Sequence, residues 1–182
     1  MDEFYLGSKE EGKQGRGAET KIKIIVAVEK KGKKTGRIRL QVTDDTSSKS
    51  LLPFIESNIE ENSKIKTDGW SGYLPLSSMN YEHFREVISR SGKDASTLLP
   101  GVHLVASLVK RMILGIYQGR FVAKHIQKYL DEFTFRYNRR TSTFVGQKFV
   151  RMLEQVVCKT MIPYWKIIER TAPNVPLWET ST

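Results

Sequence analysis

The stretch Val102-His103-Leu104-Val105-Ala106-Ser107-Leu108-Val109-Lys110-Arg111 is apolar on almost every side. A helix of that kind belongs in a core, so the rest of the chain has to wrap around it. Its polar residues are few and aligned. His103, Ser107 and Lys110 stand at i, i+4 and i+7, within about 60° of arc on a helix. Two readings of this line are open from the stretch itself. In one, a core histidine is satisfied locally and the lysine reaches solvent along its own methylenes. In the other, the line faces a site built by other segments.

Charge narrows the choice of partner. The 182 residues carry 30 Lys+Arg against 20 Asp+Glu, a net +10. Such a surplus favours a polyanion, usually nucleic acid and less often an anionic membrane. No apolar run approaches the ~20 residues of a membrane span, and Met-Asp-Glu does not open a signal peptide. Cys158 stands alone, which excludes an internal disulfide and a cysteine-based zinc site and suits a reducing cytoplasm. The length fits one domain with at most a small appendage.

The chain before the helix reads as a meander. Asp2 to Gly7 looks like the end of a strand, with Phe4 and Leu6 on one face and Glu3 and Tyr5 on the other. A strand that begins so close to the terminus implies a further N-terminal portion upstream. Residues 8–19 are Gly-rich and charged, a hairpin loop whose Lys9, Lys13 and Arg16 could touch phosphates. Their glycines do not fit a phosphate-loop pattern. Lys21–Val28 is rich in β-branched residues and reads as a strand. Glu29–Thr35 is a turn in which Gly32 takes positive φ. Gly36–Val42 alternates and pairs with the strand before it.

Ser48–Ile59 follows as a helix, with Asp44 and Asp45 as cap and turn residues and Pro53 in its early turns. Lys64–Trp70 is a short strand ending in Asp68-Gly69. Having crossed a helix, it should lie parallel to a neighbour. Residues 71–101 read as irregular, with a strand within Tyr81–Ile88 and a polar loop over Ser89–Thr97. After the opening helix, Gly115–Gly119 is a break. Val122, Ile126, Tyr129, Leu130, Phe133 and Tyr137 then mark a helix whose aromatic stripe reads as core. Its end, Tyr137-Asn138-Arg139-Arg140, reads as basic and exposed. Val145–Val157 is a third helix. Ile162–Thr182 is an irregular tail that packs through Trp165 and Trp178. The expected division is a catalytic domain over 1–157 and a tail over 158–182.

Several motifs carry a resemblance. Asp2-Glu3-Phe4-Tyr5-Leu6-Gly7-Ser8-Lys9, Arg16-Gly17-Ala18, Thr67-Asp68-Gly69-Trp70-Ser71-Gly72-Tyr73, Ser107-Leu108-Val109-Lys110-Arg111 and Tyr129 through Arg140 stand in order over residues 2–157. Together they resemble the catalytic domain of bacterial insertion-sequence transposases of the DDE superfamily. The resemblance implies a ribonuclease-H-like α/β fold, a mixed sheet with flanking helices and a helical C-terminal part. It implies that Asp2 and Asp68 are the first two metal-binding acids. His103 falls where the third acid usually stands, and Lys110 matches the basic residue that follows it. It further implies Mg²⁺ or Mn²⁺ as cofactor and double-stranded DNA, both element ends and target, as partner. A homo-oligomer when active and a cytoplasmic, nucleoid-associated place in a bacterial cell also follow, with no membrane partner.

The chemistry suits those residues. Cleavage and strand transfer are in-line displacements at phosphorus, assisted by two divalent ions about 4 Å apart. Mg²⁺ takes oxygen ligands, which Asp2 and Asp68 supply. His103 is a softer donor that suits Mn²⁺ better, or it holds a metal-bound water or carries a proton. Lys110 would sit near a phosphate. Arg111, Arg136, Arg139 and Arg140 are candidates for tracking the backbone, which makes binding salt-dependent. If His103 is not the third position, Glu86 and Asp94 are the nearest upstream acids. Two other functions stay open. One is a catalytically inactive, truncated remnant that acts as a basic DNA-binding domain. The other is a basic α/β domain that contacts protein.

Overall fold

The computed structural model describes residues 1–7, 21–87, 95–118 and 123–168. The loop expected over 8–19, with Lys9, Lys13 and Arg16, lies outside the described residues. So do Asp94, Gly119, Val122 and the tail beyond 168 with Trp178. The chain divides into two compact units, Met1–Arg140 and Thr141–Thr182. The boundary expected at 157 falls inside the second.

The first unit is built on a three-stranded antiparallel sheet, β1 (Asp2–Leu6), β2 (Ile22–Lys31) and β3 (Lys34–Thr43), in that spatial order. Asp2 pairs with Val26, Phe4 with Ile24, and Val26 with Leu40. Gly32 turns the β2–β3 hairpin at φ 60°, as its position predicts. The run Ile24-Ile25-Val26-Ala27 is buried on both faces, which is why it reads as continuous rather than alternating. Ile24 and Val26 face one helical layer, and Ile25 and Ala27 face another.

α1 (Ser48–Asn58) covers the Ile25 side with Leu51, Phe54 and Ile55. Asp45 organises its start, accepting from the Ser47 amide at 2.7 Å and the Ser50 hydroxyl at 2.9 Å. β4 (Lys64–Asp68) follows and pairs with β5 (Glu82–Glu86), parallel as expected, in a second, two-stranded sheet. The two sheets meet where the Met1 ammonium donates to the Lys66 carbonyl at 2.7 Å. Residues Ser71–Ser78, expected to be irregular, form a 3₁₀ segment that buries Tyr73 and Leu76 in the α1-side core. The threefold period of such a segment stacks these two side chains on one face.

A short helix α2 (Ala95–Leu98), within the expected irregular stretch, precedes α3 (Pro100–Gly115). α3 is the long apolar helix. Its Val102, Val105, Ala106, Val109, Met112 and Ile113 are buried, and Val105 and Val109 pack in one core with Phe4, Leu6, Ile24 and Val26. It runs alongside β1 and β2. Gly101 lies against Val28 and Thr35, and Lys110 lies over Phe4.

α4 (Ile126–Asn138) packs on β3 and closes the edge of the sheet. Its side-chain amides stand in for a missing strand. The Asn138 carbonyl accepts from the Ile38 amide at 2.7 Å, and its NH₂ donates to the Ile38 carbonyl at 3.1 Å. Gln127 does the same one strand-length on, accepting from Val42 N at 2.8 Å and donating to Leu40 O at 3.2 Å. An open edge strand is a template for unwanted pairing, and these amides satisfy it. The second unit holds α5 (Val145–Val157) and a short α6 (Tyr164–Ile167). Val145, Phe149, Met152, Leu153 and Val156 line one face of α5, and none of its residues is buried.

Candidate metal centre

Asp2 and Asp68 come to one place from two sheets. Asp2 opens β1, and its Oδ1 accepts the Glu3 amide at 2.8 Å. Asp68 ends β4, and its Oδ1 accepts the Trp70 amide at 3.1 Å in an Asx turn. Trp70 anchors that turn by donating its indole N–H to Thr46 O at 2.7 Å. Glu3 joins them. One carboxylate oxygen from each of Asp2, Glu3 and Asp68 lies within 4.8 Å of the others.

Glu3 was not singled out by sequence reasoning. Strand alternation sends it to the opposite face from Asp2, toward the α1-side core. The signal was there in that an acid occupies a core-facing strand position, and Glu3 is indeed buried. The Met1 ammonium lies nearby. Burial pushes its pKa down to about 6, against the pull of Asp2, Asp68 and Glu3.

The α3 line is placed as follows. The ring of His103 lies outside the carboxylate group, and its Nε2 is buried without a hydrogen-bond partner among the described residues. Ser107 donates to Leu104 O at 2.8 Å, a bond within its own helix. Lys110 is exposed, its ammonium 5.8 Å from the centroid of the Phe4 ring. Phe4 shares a strand face with Asp2, two residues or about 7 Å along β1.

Arg111 is exposed on the same helix. The basic end of α4 is less free than its sequence suggests. Arg136 pairs with Glu132 at 3.3 Å. Tyr137 is buried, and Arg139 stacks on Phe135 with its guanidinium 3.9 Å from the ring centroid. Arg140 stacks on Tyr137 and donates to the carbonyls of Thr35, Gly36 and Tyr137. The expectation of an exposed Tyr137–Arg140 end is therefore corrected: Tyr137 is buried, Asn138 and Arg139 are half-buried, and Arg140 is exposed. Tyr137, Asn138 and Arg140 hold the β2–β3 hairpin.

Of the remaining acids and histidines, Glu86 sits opposite Asp68 in the strand register and pairs with Lys66 at 3.0 Å. His83 shares a 2.8 Å hydrogen bond with the Thr67 hydroxyl. Burial, with a smaller push from Arg85, holds its pKa below the usual imidazole value.

The donor set decides what the centre can hold. Asp2, Glu3 and Asp68 offer hard carboxylate oxygens, which fit Mg²⁺ or Mn²⁺ rather than a thiolate-seeking metal. A basic mixed α/β unit that gathers strand-borne acids in this way is consistent with a DDE-superfamily insertion-sequence transposase. The family model described as the ISXO2-like transposase domain matches residues 1–138, and the chain belongs to that family. The match ends at the last residue of α4. No curated protein matches the chain. Transposases of this superfamily act on DNA and generally use divalent metal ions. No helix among the described residues is long and apolar enough to cross a membrane.

Proposed function

We propose that this domain cleaves insertion-sequence DNA ends and joins them to target DNA in a metal-dependent phosphoryl transfer. The observation that carries this reading is the convergence of the Asp2 and Asp68 carboxylates from separate sheets. Mg²⁺ or Mn²⁺ would be held by Asp2 and Asp68, with Glu3 as an added oxygen donor. When bound, the ion supplies charge stabilisation and an activated oxygen nucleophile. The Met1–Lys66 hydrogen bond, which ties the β1-β2-β3 sheet to the parallel β4-β5 sheet, supports a ribonuclease-H-like arrangement.

The chain's own side chains do the rest. Lys110, held over Phe4, presents an ammonium to a phosphate oxygen near the carboxylates. Arg111, Arg136 and Arg139 offer further backbone contacts. The Nε2 of His103 is buried without a hydrogen-bond partner among the described residues, and from outside the carboxylate group it orients a water or carries a proton. Assembly of two or more copies on the DNA belongs to the same reading.

The test is to incubate the full chain with element-end duplex and Mg²⁺ or Mn²⁺, beside Asp68→Ala. Metal-dependent nicking or joining by the wild type alone is the expected result. Equal activity in the two proteins sinks the reading. Salt-dependent binding with no cleavage leaves an inactive DNA-binding domain. No retention of DNA at all leaves a domain that contacts protein.

A further inference from the structure

We propose that the lysine-rich tip of the β2–β3 hairpin is a second anchorage for the DNA backbone, distinct from the carboxylate centre. The inference rests on the DNA-acting reading above. Between Val28 and Gln41 the chain carries six cations, Lys30, Lys31, Lys33, Lys34, Arg37 and Arg39, against one acid, Glu29. Lys30, Lys31, Lys33, Lys34 and Arg37 are exposed. Glu29 is already engaged. It accepts the Arg37 amide at 2.7 Å and pairs with Lys31 at 3.6 Å, and its carboxylate lies over Gly36. Lys30, Lys33 and Lys34 have no acidic partner at ion-pair distance among the described residues.

A run of lysines on a loose loop is usually just solvated. This tip is held from behind. The Thr35 hydroxyl bonds the Tyr137 hydroxyl at 2.7 Å, and Arg140 donates to the Thr35 and Gly36 carbonyls. Asn138 fixes Ile38 at both backbone atoms. Cations displayed on a fixed backbone lose less freedom on binding than cations on a mobile one.

Position agrees with a backbone contact. β2 carries the tip five residues past Val26, the partner of Asp2. That is about 17 Å along the strand, the spacing of about five base pairs of duplex. Lys110, over Phe4, lies on the other side of Asp2 along the same axis. The carboxylates thus stand between two sets of cations. The tip has no large apolar residue to enter a membrane. Its lysines are point charges, suited to phosphates rather than to reading base edges.

The experiment measures binding of the full chain to a short duplex of arbitrary sequence, without divalent metal, across a salt titration. The protein is compared with a quadruple variant, Lys30→Gln, Lys31→Gln, Lys33→Gln and Lys34→Gln, and with the matching quadruple Lys→Arg variant. The glutamine variant should bind at least about tenfold more weakly and lose about 2–4 from the log–log salt slope, while the arginine variant keeps both. Wild-type affinity and slope in the glutamine variant overturn the proposal and leave the DNA reading standing. Equal losses in both variants, with a lowered melting temperature, reveal a structural role and overturn it too. A wild type that retains no duplex removes both readings.

Discussion

The Oδ1 of Asp68 accepts the Trp70 amide, while the carboxylate as a whole faces Asp2 and Glu3. Asparagine at this position keeps the accepting oxygen and removes the charge. Asp68→Asn should therefore unfold within about 0.5 kcal/mol of the wild type in urea. Asp68→Ala also loses the turn bond and should cost about 1 kcal/mol. On the proposed metal-binding reading, Mg²⁺ should raise the wild-type melting temperature and both variants should abolish that rise, as for any ion that binds only a folded site. His83 makes a separate claim about pH. Its folded pKa lies below the unfolded value of 6.5, chiefly through burial. The unfolded chain therefore takes up a proton first as pH falls below about 6.5, and stability drops in that window and is fully present above it. The urea midpoint should fall between about pH 7 and pH 5 by less in His83→Gln than in the wild type. Asp2 and Asp68 were singled out through the resemblance of their motifs, and their carboxylates come together in the structure. Glu3 was not, because alternation assigns it to the far face, and only a long side chain at the junction of two sheets brings its oxygen round.

α4 stabilises the sheet by supplying to β3 what another strand would have supplied. Asn138→Ala removes partners from both backbone atoms of Ile38. The expected loss is about 1–3 kcal/mol in urea unfolding, with faster hydrogen exchange at the Ile38 amide. The strands and long helices were readable because their periods are local. β2 shows β-branched density, β3 shows alternation, and α3 and α5 show helical spacing. The use of Asn138 and Arg140 was not readable. Their partners, Ile38 and Thr35, lie about a hundred residues away, and nothing in the local pattern distinguishes a clamp from a basic surface. The 3₁₀ segment was missed for a related reason. Pro75 and Gly72 mark a break, and only burial against α1 makes Tyr73 and Leu76 an ordered pair.

Every buried apolar side chain among the described residues lies between Met1 and Tyr137. A chain ending at Arg140 should therefore still unfold cooperatively, with a melting temperature close to that of the full chain by calorimetry. The same truncation should lower binding of a hydrophobic dye, since it removes the exposed Phe149, Met152, Leu153 and Val156 face. Within the first unit, the carboxylates ride on different sheets that meet at Met1 and Lys66 rather than through a shared ladder. The gap between Asp2 and Asp68 is thus set at a joint, not by either strand. Behind the joint, Ile65 of β4 packs in one core with Ile25 and Ala27 of β2, so shared packing backs it where no ladder does. A divalent ion there would act as a rivet, and its departure would return play to the joint. The separation of the two acids and the seating of the two sheets would then be one mechanical variable.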